Sequence, residues 1–112
     1  MSKVVLSVEE VATPTPKSGE LLIKVAAAPI NPSDLAILVG AADLENASFS
    51  PGKYVATMPE PFNAGSKARH GLKLPAGNEG AGTVVAAGDG DTAKALMGQR
   101  VSCVPGNAYS QY

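Results

Sequence analysis

Tryptophan is absent from this chain of 112 residues, and aromatic residues make up only 4% of it, so the core has to be assembled from valine, leucine, isoleucine and alanine. Cysteine occurs once, at Cys103, which excludes an internal disulfide and any cysteine-rich metal cage. Histidine also occurs once, at His70 in a polar stretch, where it reads as a surface residue rather than an acid or base. No apolar run reaches the length needed to cross a bilayer. Residues 1–8 carry one lysine and then a short apolar run, unlike a secretion signal. A cytoplasmic setting without a membrane partner is therefore expected. Charge of one sign is equally scarce: the formal net charge is −1, so nucleic acid, which requires clustered Lys and Arg, is not an expected partner. The densest basic stretch, residues 67–73, reads as a solvated loop, with a docking surface for an anionic ligand as the alternative.

What the chain does have is punctuation. Its 12 glycines and 9 prolines favour turns and short strands over long helices, within one domain that has a modest core. Residues 3–8 are β-branched and read as a strand. Residues 21–30 form the clearest strand, with Leu21, Ile23, Val25 and Ala27 on one face at period two. Asn31-Pro32-Ser33-Asp34 is a helix start: Asn suits the cap, Pro the first helical position, and an acid the first turn. The helix runs through Val39 and Gly40 ends it. Residues 41–74 read as a long, mostly irregular loop with one short strand near 53–58; loops of this length are usually functional or mobile. Residues 82–87 are a strand, Gly88-Asp89-Gly90-Asp91 a tight turn, and 92–97 a helical turn capped by Thr92 and ended by Gly98. Further strands are expected at 100–104, where Cys103 becomes a buried and inert thiol, and at 108–112, where the end of the chain is expected to cut the strand and truncate the domain, so that Tyr109 and Tyr112 either pack or face the missing part. The sum is mostly β with short helical turns. No βαβ alternation is present, so a parallel nucleotide-binding sheet is not expected.

The glycine-rich run Gly77-Asn78-Glu79-Gly80-Ala81-Gly82 invites a dinucleotide reading, but that reading fails. The third glycine of the fingerprint is missing, and the run leads into a strand rather than a helix, so no backbone N–H cradle for phosphate forms. Close backbone approach at the start of a strand explains the glycines better.

Taken together, a strand, Ala27-Ala28-Pro29-Ile30-Asn31-Pro32-Ser33-Asp34, a loop, Pro75-Ala76-Gly77-Asn78-Glu79-Gly80-Ala81-Gly82-Thr83-Val84-Val85, and then Gly98-Gln99-Arg100-Val101 resemble the N-terminal GroES-like domain of the medium-chain dehydrogenase/reductase superfamily. The resemblance covers nearly all of residues 1–112, weakest at 41–74, and the last motif departs from the family's Gly-Asp-Arg-Val at Gln99. It implies a partly open GroES-like β-barrel. Zinc members carry Cys and His where this chain has Asn31 and Asn78. Amide oxygens are poor zinc ligands, and Glu79 alone holds no metal, so the resemblance points to the zinc-free quinone-reductase branch. It implies hydride transfer from NADPH to a quinone or α,β-unsaturated carbonyl, with Asn31 beside nicotinamide and substrate, Asp34 as an orienting group, and Asn78 and Glu79 in the substrate cleft. Read from the residues alone, Asn31 is better explained as a helix cap, and Asp34 is similarly explained by the helix dipole; capping and lining a site are compatible. Enoyl-thioester reductases of the superfamily place a Tyr soon after the first motif; residues 39–43 contain none, and Tyr54 is the next. The Rossmann domain that would grip NADPH is expected to lie outside this chain, leaving the fragment inactive alone. A homodimer of the full-length protein is admitted by the resemblance. The alternatives are a zinc alcohol dehydrogenase fragment and a non-catalytic, co-chaperonin-like binding or assembly module.

Overall fold

Backbone pairing in the region of the two motifs depends on glycines that let strands approach closely. In the computed structural model, which describes residues 2–59 and 64–112, strand β2 (Leu21–Ala27) runs antiparallel to β5 (Gly80–Ala87), and β5 to β6 (Arg100–Cys103), giving a sheet in the order β2-β5-β6. A side chain at Gly82 would collide with the carbonyl of Lys24 on β2 and lie 2.9 Å from Ile23 Cγ2; one at Gly88 would collide with the carbonyl of Lys17. The expected close approach is therefore real at Gly82. It recurs at the other end of the pair, where Gly88 N–H donates to the Glu20 carbonyl and Gly19 N–H to the Asp89 carbonyl. Register shifts between Leu22 and Ile23 and between Val25 and Ala27 break the strict alternation expected for β2. Leu21, Leu22, Ile23 and Val25 are all half-buried, and Ala27 is exposed.

This sheet, with helix α3 (Asp91–Ala95), belongs to a compact unit formed by Val11–Asn31 and Pro75–Tyr112. Its buried apolar residues are Val84, Ala93 and Ala108. α3 starts one residue before the expected cap: Gly90, at φ 120°, is its N-cap with no side-chain cap bond, and Thr92 lies inside the helix. No strand forms at 108–112. Those residues instead cross the start of β5, with Ala108 N–H bonded to the Gly77 carbonyl and Tyr109 N–H to the Ala76 carbonyl. Cys103 is half-buried rather than buried, its thiol 3.5 Å from the Gly80 carbonyl. Gln99 pairs through its main-chain carbonyl with Val84 N–H.

A second unit is formed by Met1–Glu10 and Pro32–Leu74. β1 (Lys3–Ser7), β3 (Asp43–Ser50) and β4 (Lys53–Thr57) make an antiparallel sheet in the order β1-β4-β3, with α1 (Pro32–Val39) against β1. α1 starts at Pro32 as read, with Asp34 in its first turn. Gly40 follows α1 without a positive φ; a Cβ there would sit 2.6 Å from the Ala36 carbonyl oxygen. Residues 41–74, expected to be mostly irregular with one short strand near 53–58, hold that strand as β4, but it pairs with β3 in a hairpin turned through Gly52 at φ 71°, and a short helix α2 (Ala64–Arg69) follows. Residues 60–63, with Pro61, lie outside the described set. Part of the basic stretch is thus the end of α2, where Lys67 and Arg69 in the last turn suit the helix dipole. His70 is exposed.

Strand β3 escaped the sequence reading because its pairing is interrupted: between Asp43↔Thr57 and Ser48↔Val55 it carries extra residues. A side-chain clasp holds that bulge. The Asp43 carboxylate accepts from the Asn46 backbone N–H at 3.3 Å and from the Asn46 amide at 2.8 Å. Across both units, Asp34 is the only charged residue that is buried among the described residues. Among those residues no helix is long and apolar enough to cross a membrane.

Two outcomes follow. Gly82→Ala should lower the urea midpoint by an amount equivalent to about 1–3 kcal/mol, the usual cost of forcing an atom into packed structure; an unchanged midpoint would contradict the close β2–β5 approach. The Asn46 side-chain amide, and then its backbone N–H, hold the Asp43 carboxyl below its ordinary value of 3.8. With the folded value below the unfolded one, the clasp contributes fully above pH 3.8 and is lost as pH falls through the lower folded value. Asn46 amide resonances should follow that titration with a midpoint under 3.8; a midpoint at or above it would contradict the clasp.

Candidate functional site

Asn31 directly follows the extension of β2, and Glu79 directly precedes β5. Because the two strands are antiparallel, with Ala27 opposite Ala81, both residues emerge at the same end of the pair. There the Asn31 side-chain amide donates to Glu79 Oε2 at 3.0 Å. Only the Nδ2 side of the carboxamide has hydrogens to donate to a carboxylate, so the contact fixes which way round the Asn31 amide sits. The contact is solvent-accessible, with Asn31 half-buried and Glu79 exposed. Asn78 is half-buried between Glu79 and the buried Gly77.

Residues 107–112 hold this corner, a role the sequence reading did not assign. The Tyr109 hydroxyl donates to the Pro29 carbonyl at 2.9 Å, two residues before Asn31, and Val25 N–H donates to the Gln111 carbonyl at 2.9 Å. The space for that segment comes from the glycine motif. Gly77, at φ 99°, would place a Cβ 2.5 Å from Tyr109 N and 2.7 Å from its ring; a Cβ on Gly80 would lie 2.9 Å from that of Ala108. The spacing of glycines at 77 and 80 signals a close approach, but nothing in the sequence says that Ala108 and Tyr109 make it.

Asp34 stands apart from this arrangement in kind. It belongs to α1 in the other unit and is 2% exposed. Its carboxylate is packed away from solvent.

As for metal chemistry, no three of His, Cys, Asp and Glu gather into a candidate ligand set among the described residues. The Asn31 amide presents N–H rather than a lone pair to Glu79, and the thiol of Cys103 is turned to the Gly80 carbonyl. As for a dinucleotide, Gly77–Gly82 leads into β5, so it offers no helix N-terminus to a pyrophosphate.

The family model for the alcohol dehydrogenase GroES-like domain matches residues 17–111. The chain belongs to that family. The match begins ahead of β2 and takes in the whole β2-β5-β6 sheet, both motifs and the Tyr109 clamp. It places the chain with the N-terminal domains of alcohol dehydrogenase and medium-chain oxidoreductase type, and the two antiparallel sheets, neither closed on itself, agree with part of a GroES-like barrel. No curated protein matches the chain.

Removing the Tyr109 hydroxyl tests the clamp. Tyr109→Phe should cost about 0.5–1.5 kcal/mol in urea denaturation, the net worth of one hydrogen bond. Gln111→Ala should be close to neutral, since Gln111 contributes its backbone carbonyl. A neutral Tyr109→Phe would contradict the clamp.

Proposed function

We propose that this GroES-like domain is the substrate side of a zinc-independent, NADPH-dependent reductase acting on quinones or α,β-unsaturated carbonyls. The observation that carries the reading is the contact between Asn31 and Glu79. At the two positions where the family's zinc members carry ligands, this chain has Asn31 and Asn78. Zinc takes thiolate, imidazole or carboxylate, and a carboxamide whose N–H edge is turned to an acid offers the ion no lone pair on that side. The donor set does not suit zinc, so no step is routed through a metal.

NADPH, when bound, supplies the hydride; its phosphates would be gripped by a dinucleotide domain rather than by these antiparallel sheets. The role left to this chain is orientation and polarity at the acceptor. Glu79 holds the Asn31 carboxamide through its Nδ2, and an N–H of that amide would steady the acceptor carbonyl oxygen, where negative charge grows as hydride arrives. Asn78 lines the cleft beside them. Asp34 acts as a positioning residue, holding the start of α1. A fixed amide needs little rearrangement during the reaction, and that is how a preorganised polar group lowers a barrier. The cytoplasm is the setting this reading assumes, and a homodimer of the whole enzyme is compatible with it.

The test is NADPH oxidation by the intact protein with 1,4-benzoquinone and 2-cyclohexenone. Turnover should survive treatment with a chelator, and Asn31→Ala should lower kcat by roughly 10²-fold, the usual loss on removing one such donor. Chelator-sensitive alcohol oxidation with stoichiometric zinc would make it a zinc dehydrogenase. Absence of NADPH consumption together with a defined ring-shaped oligomer would make it an assembly module.

A further inference from the structure

The stretch of chain that carries Asn31 is poorly held by burial. β2 ends at Ala27, and Pro29 and Ile30, directly before Asn31, are both exposed, Ile30 by 71%. Exposed backbone with few packed contacts is the part of a fold that opens most easily. Proline has no N–H, so the carbonyl is the one backbone group through which Pro29 can be tied. The Tyr109 hydroxyl takes it at 2.9 Å.

Tyr109 holds the other arm of the site by a different group. Its N–H donates at 3.0 Å to the carbonyl of Ala76, three residues before Glu79. Its ring packs so near Gly77 that a Cβ there would lie 2.7 Å from Cδ1. One residue thus joins the segment leading to Asn31, by its side chain, to the segment leading to Glu79, by its main chain. Phenylalanine at 109 could keep the bond to Ala76 and the packing on Gly77. The hydroxyl serves the Asn31 arm alone.

We infer that Tyr109 is a positioning residue for the reduction: its hydroxyl holds the Asn31 carboxamide where the acceptor carbonyl arrives, without itself touching the acceptor. The inference rests on the reductase reading and adds to it the group that sets the reach of Asn31. Without the hydroxyl, residues 29–31 lose their tie to the Glu79 arm. A donor that is less well placed loses most where the oxyanion charge is growing, in the transition state, and little in the ground state. Turnover therefore falls while KM stays.

The test is a double-mutant cycle on kcat, with NADPH and 2-cyclohexenone as substrates of the intact protein. Tyr109→Phe should lower kcat by roughly 3–10-fold, as one net hydrogen bond allows, with KM unchanged. In the Asn31→Ala background the same substitution should change kcat by less than about twofold, because the group it acts through is gone. A residue that merely stabilises the fold would lower kcat by the same factor in both backgrounds. Replacing Tyr109 by 3,5-difluorotyrosine keeps the ring in place and makes the phenol more acidic. As pH rises and that phenol ionises it can no longer donate to Pro29, so kcat should fall there, in a range where the unsubstituted protein shows no such fall. Unchanged kcat for Tyr109→Phe, equal losses in the two backgrounds, or identical pH profiles for tyrosine and difluorotyrosine would overturn the inference and leave the reductase reading standing. Absence of NADPH turnover in the unsubstituted protein would overturn that reading, and this inference with it.

Discussion

The antiparallel approach of β2 and β5 is the constraint on which the motif-bearing unit depends. It is possible only because Gly82 has no side chain to strike the Lys24 carbonyl, and Gly88 none to strike that of Lys17. Once that pair is formed, direction does the rest. The chain leaves β2 toward Asn31 and enters β5 from Glu79, so two segments 48 residues apart in sequence meet at one end of a sheet. The amide–carboxylate contact there is a consequence of strand pairing and not its cause; an exposed hydrogen bond of this kind is too weak to organise a sheet.

Support for that corner is layered. Residues 107–112 cross the start of β5 over Gly77 and Gly80, and the Tyr109 hydroxyl fixes the Pro29 carbonyl. The glycines of the motif thus serve two neighbours. Gly82 admits β2, while Gly77 and Gly80 admit the segment that carries Ala108 and Tyr109. A corner held in this way suits side chains that must meet a reacting group, because such side chains need their backbone held by something else.

Much of this was legible in the sequence where local chemistry decides the outcome. β1, β2, β4, β5 and β6 lie close to where β-branched runs placed them, and α1 starts at Pro32 because Asn, Pro and Asp suit successive positions of a helix start. What was not legible depended on distant partners. Strand β3 has no alternating pattern, since its pairing with β4 is broken by a bulge that Asp43 and Asn46 clasp. The stretch at 108–112 has strand-like residues but finds its hydrogen bonds across the start of β5 instead of in a ladder. Thr92 has the chemistry of a cap, yet Gly90 takes the position because the tight turn before α3 needs a positive φ there. The core was read as Val, Leu, Ile and Ala. Among the described residues the buried apolar positions are Val and Ala only, as sheets this small leave their larger side chains half-covered. At the candidate site, Asn31 and Glu79 were each visible as motif residues, but their contact and the Tyr109 clamp required the fold.

The account stands on Asn31 and Glu79 being a pair. A double-mutant cycle on urea stability, using Asn31→Ala, Glu79→Ala and the double variant, tests that most directly, because any effect of Asn31 on the helix start cancels in the coupling term. A favourable coupling of about 0.5–1.5 kcal/mol is predicted, the net worth of one hydrogen bond. Single effects that add to within about 0.3 kcal/mol would mean that the two motifs do not act together, and would contradict the site.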